Sequence, residues 1–422
     1  MSRVLVARAA LLLGAVAAFA LLACGGENQP RLLFSSYSSQ DRPGLFSVRA
    51  DGSELTQVAS LEVEGLAFPR VPSPDGMRLA FPCRPDRDQA RPQTDFCLSA
   101  ADGSDARVAT EGKLPQSSVV SSDIVWAPDS RLLAFIVNLT IREGLVSAAG
   151  VYVLDADSGE VRRLVPGTTA VMQWSPDGRR LAFEAGDPTT ALTALEVVDL
   201  KDGTLVDLTQ QMEGQGLIKS FAWSPDGSTI AFVREILAGP GRGVRLYTIA
   251  PDGSNLRQFP GNPDLWITPI WSPDGRWVAV RAAPAGRVGG VARIYIVPVS
   301  GGEPLLLAPN LVLSDYPVWS PDSRQLAFKG AESAPDPNSY PPLALYVAGV
   351  ESRELRQVAE DLQRYPLITW SPDGRRVLFT SQGGPCVEGC PSGFLFSVPA
   401  DGSASPVQVT DFRVDTFVGW QP

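Results

Sequence analysis

QWSPDGRRLAF, residues 173–183, is the stretch that decides the fold, because close copies of it recur along the whole chain. Six further copies begin at Val71, Val125, Ala222, Ile270, Val318 and Thr369. The tryptophan position is occupied by Pro72, Trp126, Trp174, Trp223, Trp271, Trp319, Trp370 and Trp420. From Trp126 onward the tryptophans are about 49 residues apart, a period that indicates stacked structural repeats.

Each part of the repeat predicts one structural element. Alternating apolar residues before the tryptophan predict a first strand, and Ser-Pro-Asp-Gly predicts a tight turn. The apolar stretch after the turn predicts a second strand, while VYVLDA and its counterparts predict a third. An Asp-Gly turn then leads into a short fourth strand. A four-stranded unit of this length is typical of a β-propeller blade, with the tryptophan and the LAF residues in the core between blades.

The WSPDG turn followed by an apolar strand resembles the TolB-type, WD-like propeller repeat, over residues 31–422. The resemblance implies an all-β propeller and a role as a binding hub of the bacterial cell envelope. TolB has an additional α/β domain before its propeller, and nothing in this chain corresponds to that domain. The resemblance therefore does not extend to the partners of TolB.

The two ends of the chain match complementary parts of one repeat. Residues 31–59 match the last three strands, and residues 412–422 match a first strand with its tryptophan. Together they predict a composite blade that closes the ring, because pairing the terminal strands removes two exposed sheet edges. With the seven other units this predicts eight blades. Seven blades is the alternative, if the irregular unit at Val71 is not a full blade.

The beginning of the chain has the features of an export signal. Arg3 and Arg8 precede an apolar run over residues 11–22, which is too short for a stable membrane span. The LLAC sequence at residues 21–24 resembles the lipobox of bacterial lipoproteins, which implies cleavage before Cys24 and acylation of its sulfur. We expect a signal peptide over 1–23, a lipidated tether over 24–30 and one propeller over 31–422. An ordinary signal peptide with a chance cysteine is the alternative.

These features predict an extracytoplasmic protein, anchored by lipid in the periplasm or at the cell surface. Residues 25–30 reach about 20 Å when fully extended, so the propeller should stay close to its membrane and a partner there is favoured. The formal net charge of −10 argues against nucleic acid or anionic lipid as the main partner.

Four cysteines remain after Cys24, and export makes disulfides plausible. Three pairings are possible, and the spacing favours Cys83–Cys97 and Cys386–Cys390 because each pair lies within one repeat. A metal site is disfavoured, since the chain contains no histidine and neither pair has the C-x-x-C spacing.

The chain carries few signs of catalytic chemistry. The absence of histidine removes the commonest general base and metal ligand. No G-x-S-x-G motif is present, and propeller-type oligogalacturonate lyases hold their metal with histidines. The repeated aspartates have the positions of turn formers rather than of cation ligands. We therefore expect no cofactor, no metal and no enzymatic activity, although a carboxylate-dependent carbohydrate-active enzyme stays an alternative.

The connections of the repeat divide into two classes. The turn after the tryptophan and the turn after the third strand are short and similar throughout, and should lie on one face, called here the turn face. The connections after the second strand and between blades vary, and should lie on the opposite, variable face. Since propellers bind through loops on a rigid scaffold, we place the ligand there, around the channel mouth. The candidate contacts are Asp123, Lys219, Trp266, Asp315, Tyr316, Arg364, Tyr365 and Asp415.

The function predicted from these features is a monomeric propeller that binds an envelope protein or a cell-surface polymer. A sensor or assembly lipoprotein of a membrane complex is the remaining alternative.

Overall fold

The computed structural model describes sixteen stretches of the chain. They are residues 29–36, 44–60, 71–83, 95–101, 104–114, 118–139, 149–186, 192–238, 242–260, 265–283, 292–313, 316–332, 343–360, 362, 367–381 and 393–421. All regular elements in these stretches are strands, and among them no helix is long and apolar enough to cross a membrane. The strands form eight antiparallel sheets of four strands, the first strand of one sheet being split in two. The chain is thus an eight-bladed β-propeller, as predicted, and the seven-bladed alternative is wrong.

The strands are numbered in chain order and each blade is given from its inner to its outer strand. Blade 1 contains β33 (Thr416–Gln421), β1 (Arg31–Ser36), β2 (Gly44–Arg49) and β3 (Thr56–Ser60). Blade 2 contains β4 (Val71–Pro72), β5 (Arg78–Cys83), β6 (Asp95–Ala100) and β7 (Arg107–Val108). Blade 3 contains β8 (Ser118–Trp126), β9 (Leu132–Leu139), β10 (Gly150–Asp155) and β11 (Val161–Pro166). Blade 4 contains β12 (Thr168–Trp174), β13 (Arg180–Gly186), β14 (Thr193–Asp199) and β15 (Leu205–Asp207).

The second half of the ring continues in the same way. Blade 5 contains β16 (Gly216–Trp223), β17 (Ile230–Ile236), β18 (Gly243–Ile249) and β19 (Arg257–Gln258). Blade 6 contains β20 (Leu265–Trp271), β21 (Trp277–Ala283), β22 (Arg293–Pro298) and β23 (Leu305–Leu307). Blade 7 contains β24 (Leu311–Leu313) with β25 (Val318–Trp319), then β26 (Gln325–Glu332), β27 (Ala344–Gly349) and β28 (Leu355–Ala359). Blade 8 contains β29 (Ile368–Trp370), β30 (Arg376–Ser381), β31 (Gly393–Pro399) and β32 (Val407–Val414).

The ring closes through the two ends of the described chain. The last strand, β33, pairs antiparallel with β1, and Trp420 lies opposite Leu32. The closing strand begins at Thr416 rather than at residue 412, because Phe412 and Val414 still belong to the fourth strand of blade 8. Both of these residues are buried in that position. The outer strand of blade 8 is therefore followed, after Asp415 alone, by the inner strand of blade 1.

The repeat tryptophans hold neighbouring blades together. Six of them, from Trp126 to Trp370, are only 3–9% exposed. Each donates its indole Nε1–H to the backbone carbonyl of the residue just before the equivalent position in the preceding blade, at 2.9–3.2 Å. The polar atom of each buried indole is therefore satisfied, while its rings supply apolar contact between sheets. Trp420 differs, because its Nε1–H donates to the hydroxyl of Thr369 at 3.3 Å.

The alanine of LAF gives the next tryptophan its space. Ala134 packs in one cluster with Trp174 of the following blade, and Ala182 does the same with Trp223. Blades 1 and 2 reverse these sizes, since Pro72 replaces the tryptophan and the residue at the alanine position of blade 1 is Leu33. Close packing requires such compensation, because an unfilled indole-sized space would be costly. Gln421 adds a hydrogen bond across the same interface, from Nε2 to the carbonyl of Pro74 at 3.0 Å.

The repeated aspartates are turn formers, as their positions indicated. In blade 4 the hydroxyl of Ser175 donates to Asp177 at 2.5 Å, and the same carboxylate accepts the amide of Arg179 at 3.1 Å. Gly178 then adopts a φ of +68°, a conformation that glycine reaches without steric cost. One turn accounts for every hydrogen bond of this carboxylate, so no cation is needed to explain it.

One of the two predicted disulfides lies in the described chain. Cys83 and Cys97 are bonded, with their Cα atoms 5.7 Å apart, and they join β5 to β6. Cys386 and Cys390 lie outside the described residues, as does Cys24.

Candidate functional site

The two faces of the propeller follow from the backbone hydrogen bonds of the turns. In blades 2, 3, 4, 6, 7 and 8 the residue after the third strand donates its amide to the carbonyl of the residue that follows the Pro-Asp turn of the same blade. Examples are Ala156 to Arg131 at 2.8 Å and Leu200 to Arg179 at 3.0 Å. Both classes of short turn therefore lie side by side on the turn face. The inner strands consequently begin at the opposite, variable face.

Irregularities in the inner strands distinguish the variable-face end of the channel. The pairing between first and second strand shifts register in blades 1, 3, 4, 5 and 6, always a few residues before the tryptophan. In blade 5, for example, Ile218 lies opposite Arg234 and Ser220 opposite Val233, so that Lys219 is the extra residue. Bulges of this kind redirect side chains and occur often beside binding sites. They give the channel mouth a ring of irregular backbone on a rigid scaffold.

Five predicted site residues lie in the described chain, and their backbones are all at this end of the fold. Asp123 lies in the bulged segment of β8, Lys219 is the bulge of β16, and Trp266 is the second residue of β20. Tyr316, which is half-buried, precedes β25, and Asp415 joins β32 to β33 with its amide donating to the carbonyl of Ser35 at 2.9 Å. The structure therefore distributes these residues around one rim, in blades 3, 5, 6, 7 and 1. Asp315, Arg364 and Tyr365 lie outside the described residues.

Lys219 and Glu235 form an ion pair at the rim of blade 5. The Nζ of Lys219 lies 3.1 Å from Oε2 of Glu235, and both side chains are about one-third exposed (38% and 35%). A pair with this exposure contributes little to stability, because solvent screens it and both side chains lose freedom. Both groups stay accessible to a polar ligand. Glu235 was not singled out in the sequence, because nothing in the repeat marks a variable position as a partner of Lys219.

Beneath this pair, Arg234 supports the connection between blades 4 and 5. Its side chain is buried, and its guanidinium donates to the carbonyls of Glu213 (3.0 Å) and Gly214. Burial lowers the pKa of Arg234 below its ordinary value, yet the side chain stays charged at neutral pH because the pKa of an arginine is so high to begin with. The residue thus anchors the backbone that leads into the bulge at Lys219.

In the inner strand of blade 4, Gln173 links the channel wall to the next blade. Gln173, next to the tryptophan of blade 4, donates its Nε2–H to the carbonyl of Phe221 in blade 5 at 2.9 Å. Three residues before Trp174, Val171 is 41% exposed on the bulged part of β12. An exposed apolar side chain beside a polar one is suited to a ligand of mixed character. Neither residue was predicted, since only register could show that they belong to the channel.

A second concavity lies on the turn face, between blades 3 and 4. It is a cleft of about 370 Å³ with Leu132, Val153 and Leu200 among its apolar lining residues. Arg131 crosses one wall and binds Asp155 at 2.6 Å. Partial burial opposes ionisation of Asp155, but the hydrogen bonds from Arg131 and from the amides of Ser158 and Asp157 lower its pKa to about 2. Arg131 and Asp155 therefore neutralise each other in this wall of the cleft.

Within the described part of the chain, no group of three or more histidine, cysteine, aspartate or glutamate side chains could hold a metal ion.

Comparison with known proteins gives a limited sequence match and many structural ones. No family model matches the chain. It is 36% identical over 99 residues to the uncharacterized peptidase YuxL of Bacillus subtilis, a match covering 23% of this chain and 14% of that protein. The dipeptidyl peptidase 4 of Porphyromonas gingivalis is similar over 93% of this chain and 60% of its own, with 11% identity and a TM-score of 0.61. TolB of Acinetobacter baumannii is similar over 82% of this chain and 79% of its own, with 13% identity and a TM-score of 0.36.

These similarities concern the fold. The eight blades confirm the predicted propeller architecture, and a similar fold occurs in the dipeptidyl peptidase 4 of Porphyromonas gingivalis. The fold alone therefore does not decide between a binding module and an enzyme. The matching segment of YuxL is a small part of that protein, so its peptidase activity is not transferred to this chain.

Proposed function

We propose that this chain is a lipid-anchored extracytoplasmic β-propeller that binds an envelope protein or a cell-surface polymer at the rim of its variable face. The observation that supports a binding role is the set of inner-strand bulges in five blades, of which the one at Lys219 follows a connection that Arg234 bonds. The lipobox-like sequence ending at Cys24 supports the anchor and the location.

The chemistry of the rim suits a polar partner with some apolar character. Lys219 and Glu235 offer both signs of charge within 3.1 Å, and Val171 offers an exposed apolar surface in the neighbouring blade. A polymer or peptide with alternating polar and apolar groups could contact several blades at once. Contacts shared among blades make binding depend on the closed ring rather than on a single loop.

The test is recovery of partners from the native envelope. The full-length protein is crosslinked in its own cells and purified, and the partners are identified by mass spectrometry. Lys219→Glu and Trp266→Ala should reduce recovery of a specific partner by at least fivefold. Ser228→Glu, an exposed substitution on the turn face of the same blade as Lys219, should leave recovery unchanged.

Other outcomes would point to the alternative functions. Release of sugars from purified envelope glycans would favour a carbohydrate-active enzyme. Recovery of an integral membrane complex that is insensitive to both rim substitutions would favour the sensor or assembly role. Loss of the partner on Ser228→Glu but not on Lys219→Glu would show that binding occurs on the turn face, and would contradict the proposed site.

A further inference from the structure

From the point where the chain enters the propeller, we infer that its turn face lies against the phospholipid headgroups of the membrane that holds Cys24. This inference rests on the lipid anchor of the proposed function. The variable face is then directed away from the membrane. The partner would approach from the aqueous side rather than from within the same lipid layer.

The position of Arg31 carries the first step. It begins β1 opposite Gln421 at the end of β33, and Gln421 bonds the Ser-Pro-Asp-Gly turn of blade 2. The guanidinium of Arg31 also reaches Glu54 at 2.8 Å, in the turn between β2 and β3. Both contacts are with turn-face elements. The chain therefore enters the propeller from the turn face.

The length of the tether carries the second step. The six residues between Cys24 and Arg31 span at most about 20 Å. The six-residue strand β1, at about 3.3 Å per residue, itself rises about 20 Å from the turn face to the variable face. If the membrane lay at the variable face, the tether would use its whole length in crossing the blade. No residues would then be left to reach the lipid. Because β1 lies between β33 and β2, the chain enters the propeller inside the turn face rather than at its outer edge.

The residues around this exit are compatible with a lipid surface. Arg31 and Arg49 both pair with Glu54, at 2.8 and 2.6 Å, so approach to the headgroups does not require burying a lone charge. Met77, in the adjacent turn of blade 2, is 70% exposed. The equivalent position carries arginine in five other blades and serine in blade 5. The most exposed large apolar side chain of the described chain thus lies in the turn that Gln421 bonds, near the start of β1, where it can enter the interfacial region.

Site-specific quenching by lipids tests the orientation. The full-length protein, produced with its own signal sequence in a bacterial envelope, is labelled with a bimane fluorophore at Met77→Cys, Ser228→Cys or Leu237→Cys. All three variants also carry Cys386→Ser and Cys390→Ser. Ser228 and Leu237 are matched controls, because they lie at opposite faces of blade 5. The variants are reconstituted in phosphatidylcholine–phosphatidylglycerol vesicles containing a headgroup-level spin-labelled lipid.

The expected result is the strongest quenching at Met77→Cys, at least twofold above Leu237→Cys, with Ser228→Cys between them. Equal quenching at all three positions, or stronger quenching at Leu237→Cys, would overturn the orientation. Mass spectrometry of the N-terminal peptide separates the two proposals. An acylated peptide with equal quenching rejects only the orientation, whereas an unmodified peptide in a protein that does not bind vesicles rejects the anchor and the orientation together.

Discussion

At the scale of single residues, the tryptophan hydrogen bonds predict unequal roles for tryptophans that look alike in sequence. Trp223 is 5% exposed and donates to the carbonyl of Gln173, whereas Trp420 is half-buried and donates to a hydroxyl. Trp223→Phe should lower the free energy of unfolding by about 2 kcal/mol, because it leaves a buried carbonyl without its donor. Trp420→Phe should cost less than about 1 kcal/mol, since a hydroxyl can turn to another partner or to water.

Denaturant unfolding of both variants checks this prediction. The slope of the unfolding free energy against denaturant concentration should be unchanged in each, as expected if only stability is altered. Equal losses in the two variants would mean that the indole ring, and not its hydrogen bond, is what matters.

The depressed pKa of Asp155 predicts a contribution to acid stability. Its pKa in the folded protein is about 2, below the ordinary aspartate value of 3.8. Folding is therefore favoured by its ionised form at pH values above about 4, and this contribution is lost as the pH falls through about 2. Because Arg131 is well exposed, solvent screening limits the effect to about 1 kcal/mol or less. Asp155→Asn should reduce the difference in unfolding free energy between pH 5 and pH 2 by that amount.

A charge-matched variant separates this effect from a change in net charge. Glu351→Gln also removes one negative charge, from an exposed turn of blade 7. Unfolding curves at the two pH values should differ less in Asp155→Asn than in Glu351→Gln. Identical pH dependences in the two variants would contradict a role for the Arg131–Asp155 pair.

At the scale of elements, we expect the stability of blade 2 to depend on its disulfide. Its inner strand β4 and its outer strand β7 contain only two residues each, and Pro72 offers no indole hydrogen bond. Cys83 and Cys97 join its two long strands across 14 residues. For a loop of this length, replacing both cysteines with serine should cost about 3 kcal/mol of stability.

The second cysteine pair supplies the control for that prediction. Cys386→Ser with Cys390→Ser opens at most a five-residue loop, so a smaller loss is expected even if these residues are bonded. Peptide mapping without reductant establishes the actual pairing, which we predict to be Cys386–Cys390. A cross-pair such as Cys83–Cys386 would contradict both assignments.

Two blades show how an element can depart from the repeat and keep its geometry. Ser130 and Ser323 replace the turn glycine, with φ values of +61° and +63°. Each hydroxyl accepts the amide of the turn aspartate in the preceding blade, Asp75 at 3.0 Å and Asp274 at 2.9 Å. The strain of a left-handed serine is thus offset by a hydrogen bond between blades.

At the scale of the whole molecule, closure of the ring by β33 is the decisive contact. Deleting residues 416–422 leaves the edge of β1 unpaired and uncovers Leu32 and Phe34, both fully buried. Because each blade packs on both neighbours, exposing this edge should loosen the ring as a unit. We expect the thermal midpoint to fall by about 5 °C, since an unfolding entropy of about 2 cal/mol/K per residue makes each kcal/mol lost worth about 1 °C in a domain of this size.

Supplying the missing strand tests whether closure itself is responsible. A synthetic peptide of residues 411–422 should restore part of the midpoint in the truncated protein. A peptide with Trp420 replaced by serine should restore less. An unchanged midpoint on truncation would show that blades 1 and 8 hold the ring without the C-terminal strand.

The repeat by itself predicted the all-β class, the composite first blade, eight blades in preference to seven, and the Cys83–Cys97 pairing among three possible ones; the structure confirms each of them. It could do so because these features depend on local rules: alternation, turn residues and spacing are repeated in every unit. The roles of the turn aspartates followed for the same reason, as Asp177 satisfies its hydrogen bonds within five residues.

Only the tertiary structure decided which residues compensate for one another between blades and where the channel rim lies. Leu33 packs with Ala101 of blade 2, the blade in which Pro72 replaces the tryptophan, and Lys219 pairs with Glu235, although neither partner is marked in the sequence. The closing strand likewise begins only at Thr416 because Phe412 and Val414 are packed in the outer strand of blade 8. Each of these features depends on volume or register shared by two sheets. Local sequence rules act within one strand and its turn, so they leave such shared features open.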